Sequence, residues 1–273
     1  NWYGEENIAF SASDKSNVTV QNVIIRVTPV NDAPAITTVP KINAIHYFLI
    51  SISPDARIQA IRIAWIFGSL IEGIAGFGTP AALAVPLLVS LGFTPILAVI
   101  ISLIANSTAV SFGAAGTPIL LGLGKLGFSH ELLMQTYKTT AVIHSIASLI
   151  VPLAIIYFVV SFKEKNKSNK IKRIIEVIPF AILTWLSFTI PYMLTAFFIG
   201  PELPSIIGSL TALILTSLSA YYNILTPKTI FSFEKQTIKK EKIEFKSLLS
   251  SIFPYLLIIV LLSLSRTIPP KLK

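Results

Sequence analysis

The sequence predicts an all-α polytopic membrane protein with broken or re-entrant helices, preceded by a short β-strand tail at the N-terminus. Three observations carry this expectation. Of 273 residues, 53% are hydrophobic and 13% charged, with a mean hydropathy of +0.74; soluble domains hold roughly 25% charged residues. Apolar stretches at 139–162, 174–199, 203–224 and 247–265 each approach the ~20 residues that a helix needs to cross a bilayer. Two glycine-rich blocks, Gly73-Ile-Ala-Gly-Phe-Gly-Thr-Pro80 and Ser111-Phe-Gly-Ala-Ala-Gly-Thr-Pro118, interrupt the apolar chain ahead of those stretches.

Residues 1–40 differ in composition from the rest of the chain. Val23, Ile25 and Val27 alternate with Ile24 and Arg26 between Ser/Asn/Asp-rich turns and Pro29, which is a strand pattern. From Ile42 the chain is membrane-like. Segment 57–77 is apolar but holds Arg57, Arg62, Glu72 and several glycines. Segment 80–92 has the length of a half-helix or re-entrant arm. Segment 94–110 nears spanning length and runs into the second glycine block. A loop at 122–130 then precedes the longer spans. The chain begins at Asn1 without methionine or signal peptide, and is read as a fragment or processed product.

The net charge of +9 is concentrated in two loops. One holds Lys163, Lys165, Lys167, Lys170, Lys172 and Arg173; the other holds Lys228, Lys235, Lys239, Lys240, Lys242 and Lys246. Basic loops between apolar spans follow the positive-inside rule and are a topology signal, not a nucleic-acid surface. Loops 163–173 and 225–246 are therefore expected to be cytoplasmic, with 200–204 outside, since two spans separate the basic loops. No cysteine is present, which excludes disulfides and thiolate metal or catalytic sites. No His-Glu-x-x-His pair and no P-loop occurs. No enzyme activity, catalytic residue, metal or cofactor is expected.

Paired interruptions inside apolar segments are the sequence mark of discontinuous helices around a buried binding site in secondary transporters. A helix stopped inside a membrane leaves backbone N–H and C=O groups that only protein or a polar cavity can satisfy. Glu72 is the only carboxylate between Asp55 and Glu131, and an ionisable group inside an apolar segment is a functional-site candidate. Gly68, Ser69, Gly73 and Gly76 share its helical face, and small residues pack against other helices. Glu72 is thus expected to point into the protein and to serve as a protonatable group; the alternative is a packing carboxylate paired with Arg62 or another cation.

Asn106, Ser107 and Thr108 precede the second block. With backbone amides freed by Gly113 and Gly116, they can bind a carboxylate without a fixed cation, aided by a helix N-terminus. Gly76 and Gly78 supply the first break, and Thr79 and Thr117 hold equivalent places in the two blocks. Capping is the competing reading for all of these. His144 lies within 139–162; it is read first as a hydrogen-bonded core residue and only secondarily as a proton group. Lys138 is read as snorkelling to the interface.

Several motifs resemble the L-lactate permease family. They are Ser53-Pro-Asp-Ala-Arg-Ile-Gln59, Ile71-Glu-Gly-Ile-Ala-Gly-Phe-Gly-Thr-Pro80, Leu87-Leu-Val-Ser-Leu-Gly-Phe93, Ile104-Ala-Asn-Ser-Thr-Ala-Val-Ser-Phe-Gly-Ala-Ala-Gly-Thr-Pro-Ile119, Ile199-Gly-Pro-Glu-Leu-Pro204 and Ile268-Pro-Pro270. They fall in family order over about residues 45–270. The resemblance implies a bacterial inner-membrane carrier moving lactate, and often glycolate, in symport with protons. It would place Glu72, Gly76, Gly78, Asn106, Ser107, Gly113 and Gly116 in or beside the pathway. The implied partners are a small carboxylate, protons and the lipid bilayer, with no nucleic acid and an undetermined oligomeric state. Some members read Asn-Thr-Ala-Pro-Val where this chain has Asn106-Ser-Thr-Ala-Val110, so the proline of that helix break is missing here.

Phe10-Ser-Ala-Ser-Asp14 and Val27-Thr-Pro-Val-Asn-Asp-Ala-Pro34 resemble the end of a cadherin-like bacterial surface repeat. Forty residues fall short of the ~100 of an immunoglobulin-like sandwich. Asp14 and Asp32 alone fall short of the 6–8 oxygens that calcium takes. The expected domains are a partial cadherin-like β segment at 1–40 and a partial permease transmembrane domain at 41–273, joined as in a chimera. Such a junction leaves two alternatives to a working carrier: a truncated, transport-inactive fragment or chimera, and a membrane-anchored surface adhesin.

Overall fold

The computed structural model describes residues 4–13, 18–27 and 53–233. The chain divides into two compact units, Asn1–Asn43 and Ala44–Lys273. In the first, β1 (Gly4–Ser13) and β2 (Val18–Val27) form an antiparallel hairpin whose register runs from Gly4 opposite Val27 to Ser13 opposite Val18. Asp14, Asp32, the junction near residues 40–45, the 247–265 span, Ile268-Pro-Pro270 and the lysines from 235 to 246 lie outside the described residues.

The described part of the second unit is helical. Helix α1 (Ala56–Ala75) starts at an Asp55 cap, whose carboxylate accepts from the Arg57 amide at 2.9 Å, and widens to π geometry over Ile61–Phe67. It is the central element. Ile58, Ile61, Ile63, Trp65 and Ile66 are all buried, and α2, α3, α4, α6 and α9 pack around it.

Proline marks half of the other helix starts, where its missing N–H costs nothing. Pro80 opens α2 (Thr79–Ser90), Pro95 opens α3 (Pro95–Ala105) behind a Thr94 cap, Pro179 opens α8 (Ile178–Phe198) and Pro204 opens α9 (Pro204–Tyr221). Helix α4 covers Gly113–Gly124. Helices α5 (His130–Ala147) and α6 (Ile150–Lys163) are separated by Ser148 and Leu149 and together form one apolar rod of 34 residues. Helix α7 (Lys167–Ile175) is short, basic and without a buried residue.

Among the described residues, four helical rods are long and apolar enough to cross a membrane: 56–75, 130–163, 178–198 and 204–221. A fifth is counted if the bent pair α3 plus Val110–Leu123 is one span. The architecture is that of a polytopic membrane protein with broken helices. Two boundaries differ from the sequence expectation. The span expected at 139–162 begins at His130, because Ser129 caps the helix there by accepting from Leu132 N at 3.3 Å. The span expected at 174–199 begins at Ile178, because Glu176 and Val177 separate it from α7. At 1.5 Å per residue, 34 residues reach about 51 Å, well beyond the ~30 Å hydrocarbon layer, so part of the 130–163 rod stands outside it.

Candidate functional site

Both glycine blocks break the chain, by different means. At the first, α1 closes with Gly76 N–H donating to Glu72 O at 3.0 Å; Gly76 (φ 85°) and Gly78 (φ 79°) then turn the chain through left-handed backbone into α2. L side chains are disfavoured there by about 1–2 kcal/mol, so glycine is the fitting residue. At the second block, α3 ends at Ala105, one 3₁₀ turn covers Val110–Phe112, and α4 begins with Ala114 (φ 44°), Ala115 (φ 53°) and Gly116 (φ 75°) in left-handed conformation. Two of these are alanines, so the second break holds strain that the surrounding packing must offset. The two arms are bent by 69°.

The two breaks meet. A β-carbon at Gly76 would lie 3.1 Å from Ala114 Cβ, and one at Gly113 would lie 3.2 Å from Glu72 Cγ and 3.4 Å from Phe77 Cε1. Glu72 is 0% exposed, and both carboxylate oxygens lack a hydrogen-bond partner among the described residues. The alternative reading, a carboxylate paired with Arg62, is not what forms. Arg62 sits ten residues earlier, about 15 Å along the helix, and donates to Ser217 Oγ at 2.8 Å. An unsatisfied buried polar group costs about 1–3 kcal/mol, more when charged.

Helix α9 and its preceding turn complete the surround. A β-carbon at Gly73 would fall 2.8 Å from Ile206 Cγ1, and one at Gly116 only 2.4 Å from the Pro201 carbonyl oxygen. Tyr192 of α8 is 0% exposed, sits edge-on to Phe112 with centroids 5.3 Å apart, stacks on Phe188 at 5.2 Å, and has a hydroxyl without partner.

The second break is held from two sides. Trp65 Nε1 donates to Thr108 Oγ1 at 2.8 Å. His144 Nδ1 lies 3.0 Å from the Thr108 carbonyl oxygen, and Nε2 lies 3.1 Å from Ser111 Oγ. A carbonyl can only accept, so Nδ1 carries hydrogen, and in the neutral ring Nε2 accepts from Ser111. His144 therefore grips the chain just ahead of the 3₁₀ turn and again within it. Ser205 Oγ adds a bond to Ala109 O at 3.3 Å.

The candidates named from sequence separate into groups. Glu72, Gly76 and Gly113 come together directly, and Gly116 joins them through the 200–203 turn. Thr108 and His144 form the clamp on the 3₁₀ turn. Asn106 is half-buried, and its Oδ1 is a buried acceptor without partner. Ser107 is exposed and donates back to Ile104 O at 2.8 Å, and Thr117 donates to Ala114 O. Both hydroxyls thus serve local chain geometry. Gly78 has nothing within 4 Å of a β-carbon position, and Thr79 is half-buried at the start of α2. Trp65, Ser111, Tyr192 and Ser205 are additions that sequence reasoning missed. Trp65 carried a readable signal, since a buried indole N–H seeks an acceptor.

The opposite end of α1 is stapled. Arg57 is 0% exposed and pairs with Asp55 through Nε to Oδ1 at 3.0 Å and Nη2 to Oδ2 at 2.6 Å. Its remaining donors reach Arg173 O at 2.6 Å and Thr229 O at 2.7 Å. Asp55 Oδ2 also accepts from Phe231 N at 3.0 Å. The α6–α7 loop region, the start of α1 and residues 229–233 are thereby gathered at one end. Thr229 donates to Glu176 Oε2 at 2.5 Å, and this bond, with Arg57, Arg173 and Lys172 nearby, holds the Glu176 carboxyl below its ordinary range against a smaller opposing effect of burial.

Long apolar helices and two opposed helix breaks define a multi-pass membrane protein. The family model described as L-lactate permease matches residues 18–273, and the chain belongs to that family. The match begins within the segment that composition sets apart as the tail. A Haemophilus influenzae relative is 35% identical over 224 residues, 82% of this chain and 39% of its own length. The L-lactate permease of Bacillus subtilis is 34% identical over 196 residues, 72% of this chain and 32% of that protein. The glycolate permease of Escherichia coli is 36% identical over 182 residues, 66% of this chain and 30% of that protein. The chain thus spans between three and four tenths of the length of these relatives. No solved structure matches it.

Proposed function

We propose that this chain carries the substrate-binding core of a proton-coupled transporter for small 2-hydroxy monocarboxylates such as L-lactate and glycolate, in a bacterial inner membrane. The observation that carries the proposal is the meeting of the two glycine breaks at Glu72, a fully buried carboxylate with neither hydrogen-bond nor ionic partner among the described residues. A buried carboxylate of this kind takes and releases a proton as its surroundings open and close. The Gly113 N–H is taken by Val110 O, so the neutral donors for a substrate carboxylate in this reading are the Asn106 side-chain amide and the backbone at the Gly116 break. The names of the relatives supply the substrate class.

In this reading loops 163–173 and 225–246 are cytoplasmic and 200–204 is external. The gathering of Arg57, Lys163, Arg173 and residues 229–233 at one end supports that orientation. The tail at 1–40 is a separate β segment of cadherin-like kind, and 41–273 is the membrane domain.

The test is uptake of labelled L-lactate by proteoliposomes given an inward proton gradient. Accumulation that collapses with a protonophore is the expected result. Well-folded protein that neither accumulates nor exchanges lactate overturns the reading. Saturable lactate binding without uptake favours the second reading, a transport-inactive portion, which the limited coverage of the relatives supports.

A further inference from the structure

The geometry points to α7 as an interfacial helix that binds anionic phospholipid, with its apolar stripe in the acyl boundary and its lysines on headgroup phosphates. The inference rests on the spans and on α7 alone, and stands apart from the transport reading.

Helix α7 comes directly after α6, whose last residue is Lys163, and leads within three residues into α8. Between two membrane spans it lies at the boundary of the bilayer. Ile171, Ile174 and Ile175 fall at i, i+3 and i+4 and form one stripe. Ile174 packs against the core, but Ile171 and Ile175 are 49% and 58% exposed. A charged loop that merely faced water would have no reason to align two isoleucines beside the membrane spans. Lys170 and Lys172 flank the stripe, Lys167 lies on its line one turn before Ile171, and Lys170 Nζ stands 5.9 Å above the Tyr157 ring of α6.

Beside the helix is a cleft of about 500 Å³ lined by Lys163, Glu164, Arg173, Phe231 and Phe233, among others. Lys163 Nζ lies 5.5 Å from the Phe231 ring centre and 5.9 Å from that of Phe233. Basic residues over an apolar floor, next to an uncovered apolar stripe, match a lipid with an anionic head and two acyl chains. Arg173 is also bound to Thr229 at 2.6 Å, so a lipid phosphate here would contact the same corner that fastens α1.

The chain has no cysteine, so Ile175→Cys gives a single site for a bimane label. The full chain in mixed micelles is titrated with brominated phosphatidylglycerol, brominated phosphatidylcholine or inorganic phosphate, and the label's quenching and the melting temperature are read. Quenching by phosphatidylglycerol at lower concentration than by phosphatidylcholine is expected, with a rise in melting temperature that inorganic phosphate does not reproduce. In the Lys167→Gln/Lys170→Gln/Lys172→Gln variant the preference should fall by roughly fivefold for each lysine. Lys167 and Lys172 are exposed and Lys170 is half-buried over Tyr157, so the variant's unliganded melting temperature is measured first to verify that the fold is kept. Absence of quenching, equal quenching by both lipids, an unchanged preference in the variant, or an equal temperature rise with inorganic phosphate each overturns the proposal.

Discussion

Gly113 lies flat against the stem of Glu72: a β-carbon at 113 would come within 3.2 Å of Glu72 Cγ, beside the Gly76–Ala114 contact where the two helix breaks meet. Gly113 itself has φ −69°, so the backbone does not require glycine there, and the requirement is space. Gly113→Ala should therefore leave the chain folded, with a loss of about 1–2 kcal/mol from overpacking, while displacing Glu72. A greater fall in lactate uptake than in melting temperature is the expected outcome; equal effects would make Gly113 a packing residue only.

Glu72→Gln keeps shape and removes the ionisable proton. In proteoliposomes it should abolish proton-driven accumulation while leaving lactate exchange partly intact. Because the native carboxylate has no hydrogen-bond partner, the amide breaks no existing bond, and the fold should survive the change. Proton-driven uptake at the wild-type level would move the coupling role elsewhere.

Gly116 and Gly78 separate backbone strain from crowding. Both have positive φ, 75° and 79°, but alanine at 116 would strike the Pro201 carbonyl whereas alanine at 78 meets nothing within 4 Å. Gly78→Ala should cost about 1–2 kcal/mol, the conformational term alone. Gly116→Ala should cost clearly more, because the clash is with backbone that cannot rotate away. Melting temperatures of the two variants, measured side by side, decide this.

At the stapled end, Asp55→Ala should be the most damaging of these substitutions. It leaves the Arg57 guanidinium buried without its bidentate partner and also removes the acceptor for Phe231 N. Loss of one member of a buried ion pair costs about 3–5 kcal/mol. Glu176, 3.6 Å from the same guanidinium, remains as a weaker counter-charge and sets the value toward the lower end of that range.

Glu176 also gives a pH dependence. Its carboxyl titrates below the ordinary value of 4.5 in the folded chain, so the stability it adds is present above 4.5 and is lost as pH falls through its folded value. The Glu176 side chain is 19% exposed, so salt and water still reach the carboxylate and the effect is small. The melting temperature of the wild type should fall more steeply than that of Glu176→Gln as pH drops below about 4.5 at low ionic strength. Parallel curves would show that the Thr229–Glu176 bond adds nothing measurable.

Much of the helical layout was legible because it arises from local chemistry. Pro80, Pro95 and Pro204 mark helix starts, positive-φ glycines mark the breaks, and apolar runs mark the spans. Burial of Glu72 was legible from the small residues on its face. What escaped was what depends on distant segments meeting. Nothing in the spacing of Trp65, Thr108, Ser111 and His144 announces that an indole and an imidazole close on the same peptide. Ala114 and Ala115 in left-handed backbone are likewise unreadable, since alanine is the strongest of helix formers and only tertiary packing holds it otherwise. Arg57 looked like an expensive intrusion into an apolar helix, and its role emerges only once residues 173 and 229 arrive from far along the chain.

The staple at Asp55–Arg57 and the break at Gly76 make α1 a cantilever, fixed at one end and cut at the other. Glu72 sits about 25 Å from the fixed end, so a tilt of only about 5° about that anchor sweeps its carboxylate through about 2 Å. That is enough to make or lose contact with the Gly113 backbone while the Arg57 corner stays still. Leverage of this kind places the largest displacement of α1 at the carboxylate, against the α2, α4 and α9 neighbours that pack on that end.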